Sequence, residues 1–464
     1  MKGLDDLVAR EPSGPAPLTF QQERYWVARG QIGWLFGLRL SGAVDIGILS
    51  ASISALVRRH EALRSRFVLV EAVPHQVCDP AGDYQLEVMR LDCAGKNDLE
   101  DAIQRFKAEM GESWRSIPTS TLFRARLLHL DKNMYVLLIA VEFLVVDEVS
   151  FNLLFQELWT VYGQLSRGMC LALPPLPIQY SDYAVWQRSA SLQQLATHRD
   201  YWTRRFTGAE RIRFPVDSGL SSDPTSAYSS LAVSFPETLS FALQALARKE
   251  GTTITMVMLS AFVGAVYVWC RQRDFIVEFI VNGRHRSDLV NVMGHFFQFM
   301  PLRIQLSGHE TFAELLRLVS QEFTMAYEHV EFGSVARTLP ELVEAPSGAM
   351  FQWVLGLPAR LVGASAPSLQ DDARLSFKIE RLPISYSLAG GELNLPKDSL
   401  PQPADVALPM WGTSQGIGGT FLYKAHLFRR NTIKRFLRRF RWIAERAAQD
   451  PHCAVMAFDY TNQG

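Results

Sequence analysis

Val141-Glu142-Phe143-Leu144-Val145-Val146-Asp147-Glu148-Val149-Ser150-Phe151 is the stretch that decides the fold. Just before it, Met134 to Val141 is an apolar run rich in β-branched residues, which predicts a buried strand. Beyond it, Leu153, Leu154, Leu158, Val161, Tyr162 and Leu165 recur at helical spacing. A strand-to-helix junction follows, with three acids, Glu142, Asp147 and Glu148, set in an apolar patch. Carboxylates in such surroundings are costly unless paired, so chemistry, or what remains of it, is expected here.

The chain around this junction has 464 residues, too many for one core, and two lobes of about 200 residues each are expected. Hydrophobic residues make up 48% and charged residues 20%, as in ordinary globular proteins. Lys plus Arg and Asp plus Glu both number 47, so no global field draws the chain to nucleic acid or an acidic membrane. Cys78, Cys93, Cys170, Cys270 and Cys453 are odd in number and far apart, without metal-type spacing, which predicts a reducing, cytoplasmic setting. The acidic N-terminus lacks the apolar run of a secretory signal. Thr252 to Cys270 is uncharged over 19 residues, yet its threonines, Gly264 and the lack of a second such span favour a buried core helix over a membrane span.

Residues 1–16, with Pro12, Gly14 and Pro15, predict a flexible lead-in. A capped, aromatic-rich helix start follows at Pro17 to Trp26, then a helix over Ile48 to Arg64 whose C-terminus is basic, as the macrodipole favours. Strands near 68–90 and a helix near 97–112 complete a first mixed lobe, residues 17–175. Pro174-Pro175-Leu176-Pro177-Ile178-Gln179-Tyr180 is too proline-rich for a helix interior or a central strand and predicts the linker between the lobes. The second lobe, residues 176–464, opens with a helix over Ser181 to Phe206 and continues through the buried helix and a strand at Phe275 to Val281. From Pro340 to Gly419 the strands are short and broken by Pro and Gly, a loop-rich pattern suited to lining a cleft or bridging lobes. The final helix, Thr432 to Ala448, sets Lys434, Arg435, Arg438, Arg439 and Arg441 among Ile433, Phe436, Leu437 and Phe440; a solvated face is preferred to a lipid or calmodulin-type target.

Several of these segments resemble, in the right order, the motifs of nonribosomal peptide synthetase condensation domains. Leu18 to Trp26 and Arg59-His60-Glu61-Ala62-Leu63-Arg64 are similar to the opening motifs, Leu176 to Arg188 to the middle motif, Gly294 to Leu302 to a later one, and Tyr423 to Phe428 to the strand before the last helix. The resemblance implies an α/β fold like chloramphenicol acetyltransferase: two mixed α/β lobes in a V-shaped pseudo-dimer with a central tunnel. It implies that acyl or peptidyl carrier proteins present substrates there on phosphopantetheine arms, with no cofactor bound directly. Phe143, Glu148, His295 and Gln298 are then the tunnel candidates.

At the junction the family carries His-His-x-x-x-Asp-Gly, its second His promoting attack of an acceptor amine on a donor thioester. Here those positions read Glu142-Phe143-Leu144-Val145-Val146-Asp147-Glu148. Phe143 can neither accept a proton nor hydrogen-bond a nucleophile. Losing a general base costs about 10² to 10⁴ in rate, so ordinary condensation is expected to be poor at best. Glu148 adds bulk and charge where the family has Gly. Asp147 is kept, and Arg284 in Asn282-Gly283-Arg284 matches the partner that holds this structural Asp in the family.

The leading reading is therefore a condensation-like domain of a peptide or hybrid polyketide assembly line that serves as a docking platform. It is similar to X domains, which recruit a tailoring oxygenase to carrier-bound peptides and also place an acid at the Gly position, and to the interface domains of siderophore synthetases. A second reading is catalytic. Glu142-x-x-x-x-Asp147-x-x-Ser150 resembles the Asp-x-x-x-x-Asp-x-x-Ser signature of heterocyclization domains, so atypical acyl transfer, cyclization or dehydration would use Glu142 and Asp147. A plain structural module is the third. His60 and His285 read as structural hydrogen-bonders, and His295 either as tunnel-facing or as core. Ser150 reads as a helix cap rather than a nucleophile, and Tyr25, Trp26, Tyr183, Trp186, Tyr201 and Trp202 as core. A monomer is expected, with no metal, nucleic acid or membrane partner.

Overall fold

The computed structural model describes residues 7, 9, 14–26, 33–91, 96–116, 122–189, 192–220, 228–330, 348–354, 377–382, 404–413 and 416–455. Two compact units divide the chain. One comprises Met1–Ala190, Asn282–Phe297 and Gly356–Leu395, the other Ser191–Val281, Gln298–Leu355 and Pro396–Gly464.

The first unit is built on a five-stranded sheet in the order Phe377–Arg381, Gly33–Gly42, Met134–Glu142, Phe123–Asp131, Glu87–Arg90. All neighbours are antiparallel except the last pair. Met134–Glu142 is central, and every residue from Tyr135 to Glu142 is buried. An inner strand covered on both faces needs apolar side chains on both, which is why this run lacks alternation. Helix Ile46–Arg59, capped by Asp45, packs on helix Glu148–Ser166. The helix expected to reach Arg64 stops at Arg59 because His60 turns extended (φ −106°, ψ 110°), and a 3-10 turn, Glu61–Arg64, leads into strand Ser65–Val70.

That strand, Val73–Cys78 and the two residues Ala16–Pro17 form a small antiparallel sheet. Ala16, placed by the sequence in the flexible lead-in, is fully buried opposite Gln76, whose Nε2 donates to the Pro17 carbonyl at 2.9 Å. Most of residues 1–13 lie outside the described residues.

The expected boundary at residues 175 and 176 assigns helix Tyr180–Arg188 to the second lobe, but the helix belongs to the first unit. Gln187 Oε1 accepts from Phe20 N at 2.9 Å and Arg188 Nε donates to the Leu18 carbonyl at 2.7 Å, fixing it to the N-terminal motif. Segment 282–297 and strand Phe377–Arg381 also return to this unit.

The second unit carries a six-stranded sheet in the order Gln298–Gln305, Asp274–Val281, Ala349–Trp353, Val406–Thr413, Gly416–Lys424, Tyr228–Phe235. Ala349–Trp353 runs parallel to both neighbours and the other pairs are antiparallel. Helix Ile254–Cys270 is apolar all round, as a helix enclosed by others must be. It packs against helices Glu237–Lys249, Phe312–Tyr327 and Arg430–Gln449. Among the described residues no single helix is long and apolar enough to cross a membrane. The helix expected over Ser181 to Phe206 is two, Tyr180–Arg188 and Leu192–Phe206, one in each unit. Much of the loop-rich stretch from Pro340 to Gly419, with its expected cleft-lining or bridging role, lies outside the described residues.

Candidate functional site

The central strand ends at Glu142, whose register partner is Gly33. The Glu142 carboxylate turns back on the chain, Oε2 accepting from Leu144 N at 2.5 Å, and so caps the 3-10 turn Phe143–Val145. Val146 returns to extended backbone and Asp147 starts the next helix as its N-cap. Ser150, expected as the cap, is instead the residue whose N–H is capped, donating to Asp147 Oδ1 at 2.9 Å. Glu148 occupies the first turn, where the positive end of the helix dipole favours an acid.

Asp147 is almost wholly buried, and its carboxylate is saturated. Oδ1 also accepts from Ser150 Oγ (2.8 Å) and Arg284 Nη2 (3.0 Å), while Oδ2 accepts from Arg284 Nη1 (2.6 Å) and Phe296 N (3.1 Å). Burial pushes its pKa up, but the Arg284 charge and these hydrogen bonds outweigh it and hold the carboxyl below its ordinary value. Arg284 Nη2 further donates to Ser150 Oγ at 3.0 Å and to the Val292 carbonyl at 3.1 Å, and the guanidinium lies 4.4 Å from the Phe296 ring centre. The close approach depends on Gly283, at φ +66°, where a Cβ would collide with the Phe296 carbonyl.

The same ground is crossed by links between distant motifs. The Tyr180 hydroxyl donates to the His295 carbonyl at 2.6 Å and lies 2.9 Å from Thr19 Oγ1; burial pushes its pKa far up, so it stays a neutral phenol. Its ring fills the space beside Gly294, where any Cβ would overlap it. Ser150 Oγ accepts from Gly294 N at 3.0 Å and Gln22 Nε2 donates to the Leu144 carbonyl at 2.9 Å.

The Phe143 ring stands edge-on to Tyr25 (centroids 5.1 Å), His295 (4.7 Å) and Phe297 (5.3 Å), and lies within 12° of parallel to Trp34 at 6.3 Å. His295 is fully buried, with Nδ1 2.8 Å from the Phe143 carbonyl. Burial drives its pKa down to about 4 against the pull of the Asp147 charge and the carbonyls of Phe143 and Val146. The ring is thus neutral near pH 7, donating through Nδ1–H.

The structure therefore brings Glu142, Phe143, Asp147, Glu148, Ser150, Arg284 and His295 together in the first unit. Phe143 and Glu148 are half-buried there, whereas Gln298 is buried at the start of a strand of the second unit, opposite Val281. His60 lies outside this cluster and bonds Glu157 Oε2 through Nε2 at 2.6 Å, a structural contact as expected. Tyr25, Tyr183, Trp186 and Trp202 are buried, while Trp26 and Tyr201 are half-buried. Sequence reasoning misses Thr19, Gln22 and Tyr180 as struts of the site, although all three sit inside motifs that it singles out.

The family model described as "Condensation domain" matches residues 13–464. A linear gramicidin synthase polypeptide of Brevibacillus parabrevis is 29% identical over 453 residues, 95% of this chain but only 8% of that protein. Malpinin synthetase of Mortierella alpina is 29% identical over 431 residues, 90% of this chain and 5% of that one. The chain thus spans less than a tenth of the length of either relative. Among solved structures, the complex of the X-domain and OxyB from teicoplanin biosynthesis matches with a TM-score of 0.76 at 21% identity, covering 100% of both chains. The first condensation domain of the CDA synthetase matches at 0.70 and 19%, covering 96% of this chain and 99% of that one. At these identities the likeness to the solved structures is one of fold. The family model runs through the stretches around Thr19, Asp147 and Arg284 alike, and the chain belongs to the condensation-domain family.

Proposed function

We propose that this chain is a condensation-like domain of a nonribosomal peptide or hybrid polyketide assembly line that does not perform ordinary amide condensation. In this reading it docks a tailoring oxygenase onto intermediates held on the phosphopantetheine of acyl or peptidyl carrier proteins. The observation that carries the reading is Phe143, a phenyl ring locked among Tyr25, Trp34, His295 and Phe297 at the position of the base.

Among the described residues, Asp147, His295 and Ser150 do not compensate for that loss. Asp147 has both oxygens engaged. His295, with a pKa of about 4 and no exposed surface, is a poor base near neutrality. Among the described residues no imidazole bonds Ser150, whose hydroxyl is shared among Asp147, Arg284 and Gly294. The likeness of fold to an X-domain solved with OxyB supports the recruiting role. Phe143 and Glu148 would then face the carried substrate.

The test loads donor and acceptor carrier proteins from the chain's own pathway, mixes them with the purified protein and follows products by intact-protein mass spectrometry, with Phe143→His and Glu142→Gln in parallel. Binding of the oxygenase of that pathway is measured by calorimetry. Oxygenase binding without product from the parent is the expected result. Product formed by the parent and abolished by Glu142→Gln would overturn it in favour of atypical acyl transfer, cyclization or dehydration.

A further inference from the structure

Helix Arg430–Gln449 carries a charge pattern unlike the rest of the chain. Positive and negative residues balance at 47 each overall, yet no acid occurs between Val406 and Ala444. Along the helix Ile433, Phe436, Phe440, Ile443 and Ala447 are buried in the core of the second unit, whereas Arg430, Lys434, Arg435, Arg438 and Arg441 are exposed. Arg441 pairs with Glu445 at 3.1 Å and Arg435 donates to Thr432 Oγ1 at 3.2 Å. Arg430, Lys434 and Arg438 have no acidic partner among the described residues. Asp217, an acid at the helix start, is spent on Arg429 N and the Thr432 hydroxyl.

Spacing of four residues sets Arg430, Lys434 and Arg438 in one row about 12 Å long. Like charges at this spacing destabilise a helix by about 0.2 to 0.5 kcal/mol per pair, and nothing among the described residues of the unit offsets them. We propose that this row is a docking face for a partner protein presenting a row of carboxylates, most simply an acidic helix with Asp or Glu at the same four-residue spacing. A lipid surface fits poorly, because the apolar side that would have to enter it is already buried in the core. A nucleic-acid duplex fits poorly too, since a single straight row on a chain without net charge offers neither a groove-sized patch nor a wide field. The inference rests on the second unit alone and stands whether or not the junction around Phe143 is catalytically silent.

The full chain is titrated with a labelled helical peptide carrying Glu at every fourth position, with a short DNA duplex and with phosphatidylserine vesicles as the competing polyanions. The peptide is expected to bind, to weaken as salt is raised, and to lose at least about tenfold in affinity in the triple variant Arg430→Glu, Lys434→Glu, Arg438→Glu. A neutral triple variant, each residue changed to Gln, keeps the test informative should charge reversal disturb folding, and is expected to fall between the two. Equal peptide binding by the parent and the Gln variant overturns the proposal, as does no binding by the parent, or binding of duplex or vesicles as tight as that of the peptide.

Discussion

Arg284 closes on Asp147 from 137 residues away, Nη1 on Oδ2 at 2.6 Å and Nη2 on Oδ1 at 3.0 Å, with both side chains almost fully buried. Two charges withdrawn from water at such cost are tolerable only as a pair. Removing one partner, as in Asp147→Ala or Arg284→Met, strands the other and is expected to lower stability by about 3 to 5 kcal/mol. The double variant strands neither charge and is expected to lose clearly less than the sum of the two singles. Urea unfolding of the four proteins checks this, and simple additivity would mean the pair is not coupled.

Gly294 touches Tyr180 so closely that a methyl group at its Cα would overlap the phenol ring. Gly294→Ala must therefore push the ring aside, breaking its bonds to Thr19 and the His295 carbonyl. A loss of about 1 to 3 kcal/mol is expected, the usual cost of overpacking. In the background Tyr180→Ala, where the ring is absent, the same change is expected to cost much less. A loss unchanged in that background would place the cause elsewhere.

The parts of this fold legible in the sequence are those written in local patterns. Strand Met134–Glu142 and helix Ile254–Cys270 announce themselves as continuous apolar runs, and Asp147 and Arg284 sit in segments whose resemblance already pairs them. What cannot be read depends on side chains meeting across long stretches of chain. Tyr180 lies 161 residues from Thr19, and Gln22 lies 122 from Leu144, and no periodicity encodes either meeting. The misplaced boundary has the same origin: Pro174 to Pro177 does break the chain, but the helix after it is fastened backwards by Gln187 and Arg188. Ser150 reads as the cap because the apolar spacing that marks the helix starts only at Leu153, more than a turn after Asp147 begins it.

His295 makes the protein sensitive to mild acid. Its pKa falls from 6.5 to about 4 on folding, so between those values the unfolded chain binds a proton that the folded one refuses. Stability is then full above about pH 6.5 and declines as pH falls towards 4, by about 3 kcal/mol at most from this group. His285, also lowered to about 4 by burial, adds to the same window, whereas Asp147, lowered from 3.8, loses its contribution only below that range. Urea midpoints measured from pH 7 to pH 4 are expected to fall less steeply in His295→Asn than in the parent. Parallel curves would show that His295 is not the group responsible.

Phe143 is one of the rings that bury His295, and its share in the depressed pKa can be separated from any catalytic question. Its ring stands 4.7 Å from the imidazole and is itself half-buried, so Phe143→Ala is expected to admit water to His295 while costing about 2 kcal/mol in packing. Burial is the largest cause of the depressed pKa, and relieving it leaves the attraction of Asp147 and the carbonyls of Phe143 and Val146 opposed only by the smaller effect of the Arg24 charge. The imidazole pKa is therefore expected to rise from about 4 towards or beyond its ordinary value. A proton NMR titration of His295 in parent and variant reads this directly. The acid-induced loss of stability between pH 6.5 and 4 should shrink in the same variant, because a group with similar pKa in both states no longer links folding to protons. An unmoved His295 resonance in Phe143→Ala would mean that other neighbours, Tyr25 and Phe297 among them, seal the imidazole, and that the Phe143 ring is not its gate.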